Sequence, residues 1–198
     1  MKAFYLIAGL GVVFLLVQSY QLLSNNLKTE NQKYRLVLKE ADFEIRFYPS
    51  ATFAKIYSNG TDYKSVASSG FRKLAGYIFG GNDQGKSIAM TAPVRMEMTP
   101  KGSSMSFVMP EKYKESDLPK PKDASVQIVK SSPQYVAVIS FGGYADDEKI
   151  KENRDVLLKL IQKKGIKVIG DYTFLGYNAP FQFWARKNEV VIPIEWKE

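Results

Sequence analysis

Two stretches of this chain repeat one another in pattern. FEIRFYPSATFAKIYSNG, Phe43–Gly60, matches VQIVKSSPQYVAVISFGG, Val126–Gly143. Each reads as a strand, a turn carrying Pro and Ser, a second strand and a stop at Gly or Asn. A helical pattern follows each copy. After the first, Tyr63, Val66, Ala67, Gly70, Phe71, Leu74, Tyr77 and Ile78 fall along one stripe of Asp62–Phe79. After the second, Asp146–Lys164 places Ile150, Leu157, Leu160 and Ile161 inward, with Lys149, Lys151, Glu152, Arg154 and Lys159 mostly outward. Asp146, Asp147 and Glu148 suit the N-terminal end of that helix, and Lys163, Lys164 and Gly165 its close. Strands then resume around Ala92-Pro93 in the first half and Ala179-Pro180 in the second. Proline donates no ladder hydrogen bond, so each pair predicts a strand edge or bend. Val94–Met98, Met105–Met109 and Val190–Ile194 read as further strands, and the polar stretch 115–125 joins the halves. Neither half can bury both faces of its own sheet. The pattern therefore predicts one α+β domain built from two ββαββ units.

Ahead of the repeats lies a segment of another kind. Residues 3–17, AFYLIAGLGVVFLLV, are apolar apart from the Tyr5 hydroxyl, and no charge falls between Lys2 and Lys28. Extended through Leu22-Leu23, the segment approaches the length of a bilayer core, and it has no polar face before Gln18. A cleaved secretory signal is the rival reading, with Val17-Gln18-Ser19 as its small-residue site. The expectation is an uncleaved transmembrane helix over 1–23, a polar stalk over 24–33 and a folded domain over 34–198. Lys2 precedes the segment, while Lys28, Lys33, Arg35 and Lys39 follow it. The very short N-terminal tail tips the expectation toward a single-pass membrane protein. Its domain would then lie on the outer (periplasmic or extracytoplasmic) side.

Composition removes whole classes of chemistry. The 198 residues include no cysteine and no histidine. Disulfides, thiolate metal sites and a cysteine nucleophile are excluded, as are Ser-His-Asp devices and the usual zinc and heme-iron ligand. A net charge of +8 suits solubility or an anionic partner, but no nucleic-acid-binding motif accompanies it. The glycines from Gly80 to Gly85 close a helix where a phosphate loop would open one, so they read as a cap and turn. Glu44, Glu97, Glu189 and Glu195 fall at scattered strand positions, expected to face solvent. Met90, Met96, Met98, Met105 and Met109 read as core, with an adaptable pocket as the alternative. Tyr135, Tyr144, Tyr172, Tyr177, Phe181, Phe183 and Trp184 offer either sheet packing or a platform for a flat ligand.

One further string is not explained by any general rule of helix or strand formation. It is Ile88-Ala89-Met90-Thr91-Ala92-Pro93-Val94, preceded by Gly80-Gly81-Asn82-Asp83 and followed by Met105-Ser106-Phe107-Val108-Met109-Pro110. Together with Arg186-Lys187-Asn188-Glu189-Val190, it resembles the SOUL heme-binding protein family from Tyr34 to Ile194. The resemblance implies a pseudo-twofold, distorted eight-stranded antiparallel β-barrel with one helix from each half. That fold is similar to the small-molecule-binding domains of the gyrase-inhibitor-like superfamily. The resemblance also implies heme lying against the first helix, here Ser68 to Phe79. Phe71, Leu74, Ala75 and Ile78 would then supply apolar contact, and Arg72 and Lys73 would pair with the propionates. The core stripe claims Phe71, Leu74 and Ile78 as well. Without histidine, iron would take Tyr, Met or Lys, or heme would be held by apolar contact alone. The expected function is a membrane-anchored binding protein, not an enzyme. It would hold heme, another tetrapyrrole or a different flat amphipathic anion, with no nucleic-acid partner. Two alternatives stand beside it: a hydrolase-like enzyme using Glu and Tyr on the same barrel, and an envelope module that binds protein or lipid.

Overall fold

A computed structural model of the chain describes residues 29–99, 102–179 and 182–197. The chain divides into two compact units, Met1–Glu30 and Asn31–Glu198, and the second carries the fold. The expected transmembrane helix over 1–23 lies outside the described residues. Among the described residues, no helix is long and apolar enough to cross a membrane. The first helix leaves Lys64, Ser68, Arg72 and Lys73 exposed, and the second Glu148, Lys151, Glu152 and Lys159. The expectation of a single-pass membrane protein with an outer-side domain is corrected accordingly.

In chain order the elements are β1 (Glu30–Asn31), β2 (Arg35–Lys39), β3 (Glu44–Tyr48), β4 (Thr52–Ser58), α1 (Tyr63–Ile78), β5 (Thr91–Ala92), β6 (Val94–Thr99) and β7 (Gly102–Val108). There follow β8 (Gln127–Lys130), β9 (Gln134–Gly142), α2 (Asp147–Lys163), β10 (Thr173–Gly176) and β11 (Lys187–Pro193). Nine strands make one curled antiparallel half-barrel in the order β2-β3-β9-β11-β10-β6-β7-β4-β8. The two repeats are visible in this order, and they exchange strands. β3 of the first repeat pairs with β9 of the second, and β8 of the second pairs with β4 of the first. Exchanging the halves (β3 for β8, β4 for β9, β6 for β10, β7 for β11) reverses the eight-strand order onto itself. The pseudo-twofold therefore runs between β6 and β10. β2 adds a ninth strand beyond the eight expected, through its pairing with β3.

Alternation along the strands gives the sheet two different faces. One carries Ile45, Ile56, Met96, Met105, Phe107, Phe174, Val190 and Ile192, and both helices pack there in the main core. Val66, Leu74, Tyr77 and Ile78 come from α1, and Ile150, Leu157 and Ile161 from α2. Burying each of these larger side chains stabilises the fold by about 1.5–3 kcal/mol. Met96, Met98, Met105 and Met109 are core residues, and Met90 packs against them. Both helices start on an aspartate: Asp62 accepts from the Ser65 N–H and Asp146 from the Lys149 N–H, each at 2.8 Å. Asp147 of α2 also accepts from the Tyr63 N–H at 2.7 Å, which ties the two helix starts together.

The loop after α1 shows what the Gly80-Gly81-Asn82 string does. Gly80 has φ of +104°, and a Cβ on Gly81 would lie 2.5 Å from the Gly76 carbonyl oxygen. The wholly buried Asn82 amide donates to the Tyr77 and Lys86 carbonyls at 3.1 and 2.7 Å, and its oxygen accepts from the Lys86 N–H. Thr91 donates to the Val108 carbonyl at 2.6 Å, and Ala92-Pro93 is cis. Much of the motif thus satisfies buried backbone groups where a helix turns into a sheet.

Candidate functional site

The six residues expected to meet a ligand on α1 do not share one environment. Leu74 and Ile78 are buried in the core, and Phe71 is half-buried with its ring edge-on to Phe107 at 5.3 Å. Ala75 is half-buried, whereas Arg72 and Lys73 are exposed. The outward stripe is Ser68, Arg72, Ala75, Gly76 and Phe79, spaced as one helix face requires. Phe79, which caps the helix, is 68% exposed, unusual for its type. Arg72 has no ion-pair partner among the described residues, and Lys73 reaches only the Ser125 hydroxyl, at 3.2 Å. Leu74 and Ile78 can support a ligand on this face only from beneath.

The sheet face without helices holds the charge. Arg46 on β3 is 3% exposed and Glu189 on β11 is 0% exposed. Arg46 donates to both Glu189 carboxylate oxygens, at 2.9 and 3.0 Å, and to Glu44 at 2.8 Å. Tyr177 donates to Glu189 at 2.7 Å, Ser140 at 3.2 Å, and Lys187 forms an ion pair with it at 3.0 Å. Burial alone would push the Glu189 pKa up, but the hydrogen bonds from Arg46 and Tyr177 outweigh it and hold the carboxyl below its ordinary value. Burial likewise works against the charge on Arg46, and its two carboxylates raise its pKa above the ordinary guanidinium value. Tyr177 is pushed up by burial first, then by the adjacent Glu189 charge.

Glu189 was expected to face solvent, and the structure reverses that placement. Its partner, Arg46, lies 143 residues away in sequence, and no local pattern announces the pair. Glu97 pairs with Lys55 at 2.6 Å and Glu195 with Lys167 at 2.8 Å, so the carboxylates are held by cations and do not pair with one another. The convergence of Glu189 with Tyr177 is the geometry a Glu-Tyr enzyme would need. Here the carboxylate is saturated by donors and lines neither of the cavities that flank it.

Those cavities lie farther along the same face. A cleft of about 270 Å³ is lined by Tyr48, Phe53, Lys55, Tyr57, Arg95 and Glu97, among others. A hollow of about 260 Å³ on the same face shares Arg95, Glu97 and Gln134 with it and includes Asp171. A larger cavity, about 450 Å³, opens beside α2 between Arg154, Leu158, Tyr172 and Met98. Arg154, expected to point outward, is half-buried there over the Tyr172 ring. Phe181 lies outside the described residues, and the other second-half aromatics do not form one platform. Tyr135 packs on Phe47, Tyr144 lies under Arg186, Tyr177 serves Glu189, and Phe183 and Trp184 are exposed.

Comparisons with known proteins agree on the domain. The family model described as SOUL heme-binding protein matches residues 29–193. Heme-binding protein 2 of Mus musculus is 32% identical over 157 residues, covering 75% of this chain and 76% of that protein. Heme-binding protein 1 of Xenopus laevis is 27% identical over 173 residues, covering 81% and 90%. Among solved structures, the EcmrR C-terminal domain superposes with a TM-score of 0.61 at 9% identity, covering 82% of this chain and 98% of that one. A Listeria innocua protein described as a hydrolase gives 0.53 at 10% identity, covering 80% and 94%. At such identities the structural likeness speaks for the fold alone.

Proposed function

The chain belongs to the SOUL heme-binding protein family, and on that premise we propose that it binds heme or a closely related tetrapyrrole on the outward face of α1. The observation that carries this reading is the exposed Phe79 sharing one helix face with Arg72, a cation without an ion-pair partner among the described residues. Ala75, Gly76 and Ser68 keep the rest of the stripe low, so a flat ring can approach the helix. Phe71 contributes its half-buried edge, while Leu74 and Ile78 hold the helix to the sheet beneath. Arg72 and Lys73 are the groups to receive carboxylates, as charge-assisted donors. These residues fit the ring and the acid groups of heme. The chain has no histidine or cysteine for the iron, which leaves tyrosine, methionine or lysine. Bound heme would supply the iron chemistry, and the protein residues would bind and orient the ring. The reading is of a carrier or binder, not an enzyme.

Haemin titration followed by Soret absorbance tests this, with apomyoglobin as competitor to remove unspecific adsorption. Saturation at one equivalent, weakened about tenfold or more in the double variant Arg72→Glu, Lys73→Glu, is the expected result. Non-saturating binding, or binding indifferent to both substitutions, overturns it. A hydrolytic reading has the Glu189–Tyr177 contact in its favour, but that glutamate is already engaged by Arg46, Tyr177, Ser140 and Lys187.

A further inference from the structure

Arg95 on β6 is 6% exposed, and among the described residues its side chain makes one hydrogen bond, from Nη1 to the Gln32 side-chain oxygen at 3.0 Å. No carboxylate lies within ion-pair distance of it among the described residues. A guanidinium presents five N–H donors in a planar fork, so most of this buried group's donor capacity is unused. Its carbon sits 5.5 Å from the centre of the Phe53 ring and 5.9 Å from that of Tyr48. Tyr48 is 2% exposed, and its hydroxyl has no hydrogen-bond partner among the described residues, although the Arg46 guanidinium is near. Burial pulls the Arg95 pKa below the ordinary guanidinium value. A buried cation and a buried hydroxyl, both under-satisfied and both lining one cleft, are costly unless something else completes them.

We propose that this cleft is a second ligand site, separate from the α1 face, and that it takes a small aromatic or otherwise apolar monocarboxylate. Arg95 receives the carboxylate through its free N–H groups, and the Tyr48, Phe53 and Tyr57 rings enclose the apolar body. Charge favours an anion. Lys55 and Arg95 within the cleft meet one carboxylate, Glu97, and the exposed Lys130 on its lining adds a further positive charge. Glu97 would repel a second negative charge, and Asp171 disfavours an anion in the adjoining hollow. The site lies on the sheet face opposite α1, because Arg95 and Glu97 alternate with the core residues Met96 and Met98.

The test is isothermal titration of the full chain at neutral pH with naphthalene-2-carboxylate. 2-Naphthalenemethanol and inorganic phosphate serve as controls. Saturable one-to-one binding of the carboxylate is expected, with Arg95→Met weakening it about tenfold or more and the alcohol binding no better than to that variant. Should Arg95→Met fail to fold, Tyr57→Ala at the open wall of the cleft replaces it and is expected to weaken binding severalfold. Carboxylate binding undiminished by the folded variant, equal binding of the alcohol, or phosphate binding in its place would overturn the proposal. Haemin run in parallel separates the two sites: its affinity follows Arg72 and Lys73 and is untouched by Arg95→Met. A joint loss in Arg95→Met would overturn the separation of the two sites.

Discussion

Arg46 and Arg95 occupy the same face of the same sheet and are buried to nearly the same degree, 3% and 6% exposed. Both lie over aromatic rings, but their charged partners differ. Arg46 is bound by two carboxylates, one of which also accepts from Tyr177 and Ser140. Arg95 has one amide oxygen and two ring faces. Around Arg46 the charges cancel, since Arg46 and Lys187 meet Glu44 and Glu189. Around Arg95 positive charge is in excess, with Lys55, Arg95 and Lys130 against Glu97. A buried charge is therefore no label by itself. Where its partners are complete it fastens strands together, and where they are missing it marks a place for something to bind.

The contrast can be broken most directly by substituting each arginine with methionine. Arg46→Met strands Glu189 in the interior, and chemical denaturation should show a loss of about 3–5 kcal/mol. Arg95→Met removes an unpaired cation and replaces it with an apolar chain. Its unfolding free energy should stay level or rise by about 1 kcal/mol. A loss as large as that of Arg46→Met would erase the distinction. The pH dependence of stability sharpens it further. The Glu189 carboxyl is depressed below 4.5 in the folded state, so its contribution is fully present above that pH and is lost as pH falls through the lower folded value. Acid titration of the folded fraction should show this loss below pH 4.5, and Glu189→Gln should remove it at the cost of lower stability at neutrality. The smallest effect belongs to the α1 face. Arg72→Glu with Lys73→Glu should change stability by under about 0.5 kcal/mol per site while weakening haemin, because neither side chain supports the core.

These effects trace what the sequence carries. The repeat of Phe43–Gly60 in Val126–Gly143 was enough to locate β3, β4, β8 and β9, because strand alternation and turn residues are local signals. Both helices were legible for the same reason, and so was the acidic start of the second. Which strands pair was not. β3 pairs with β2 but not with β4, the next strand in sequence, and takes β9 on its other edge, and only the pseudo-symmetry of the halves hints at it. Of the α1 residues named for a ligand, the core stripe already claimed Phe71, Leu74 and Ile78, and the helix buries Leu74 and Ile78 and half-buries Phe71. Phe79 stood just outside the chosen set and is the most exposed aromatic of that helix end. Arg46 and Arg95 escaped notice altogether, since a lone arginine in an alternating strand looks like any solvent-facing position. Only the curvature of the sheet, and Tyr48 and Phe53 beside them, make that face an interior one.

The exchange of strands between the halves bears on how this protein is made. Glu44 finds its partner in Val138, so β3 emerges from the ribosome about 90 residues before the strand that completes it, roughly 5–20 s earlier at ordinary synthesis rates. During that interval the nascent first half exposes one side of an apolar strand and cannot close its sheet. The fold is therefore committed late, when β10 and β11 arrive after β9 and bridge it to β6. Residues that hasten that closure, more than those that merely strengthen the finished sheet, set how much newly made chain escapes aggregation.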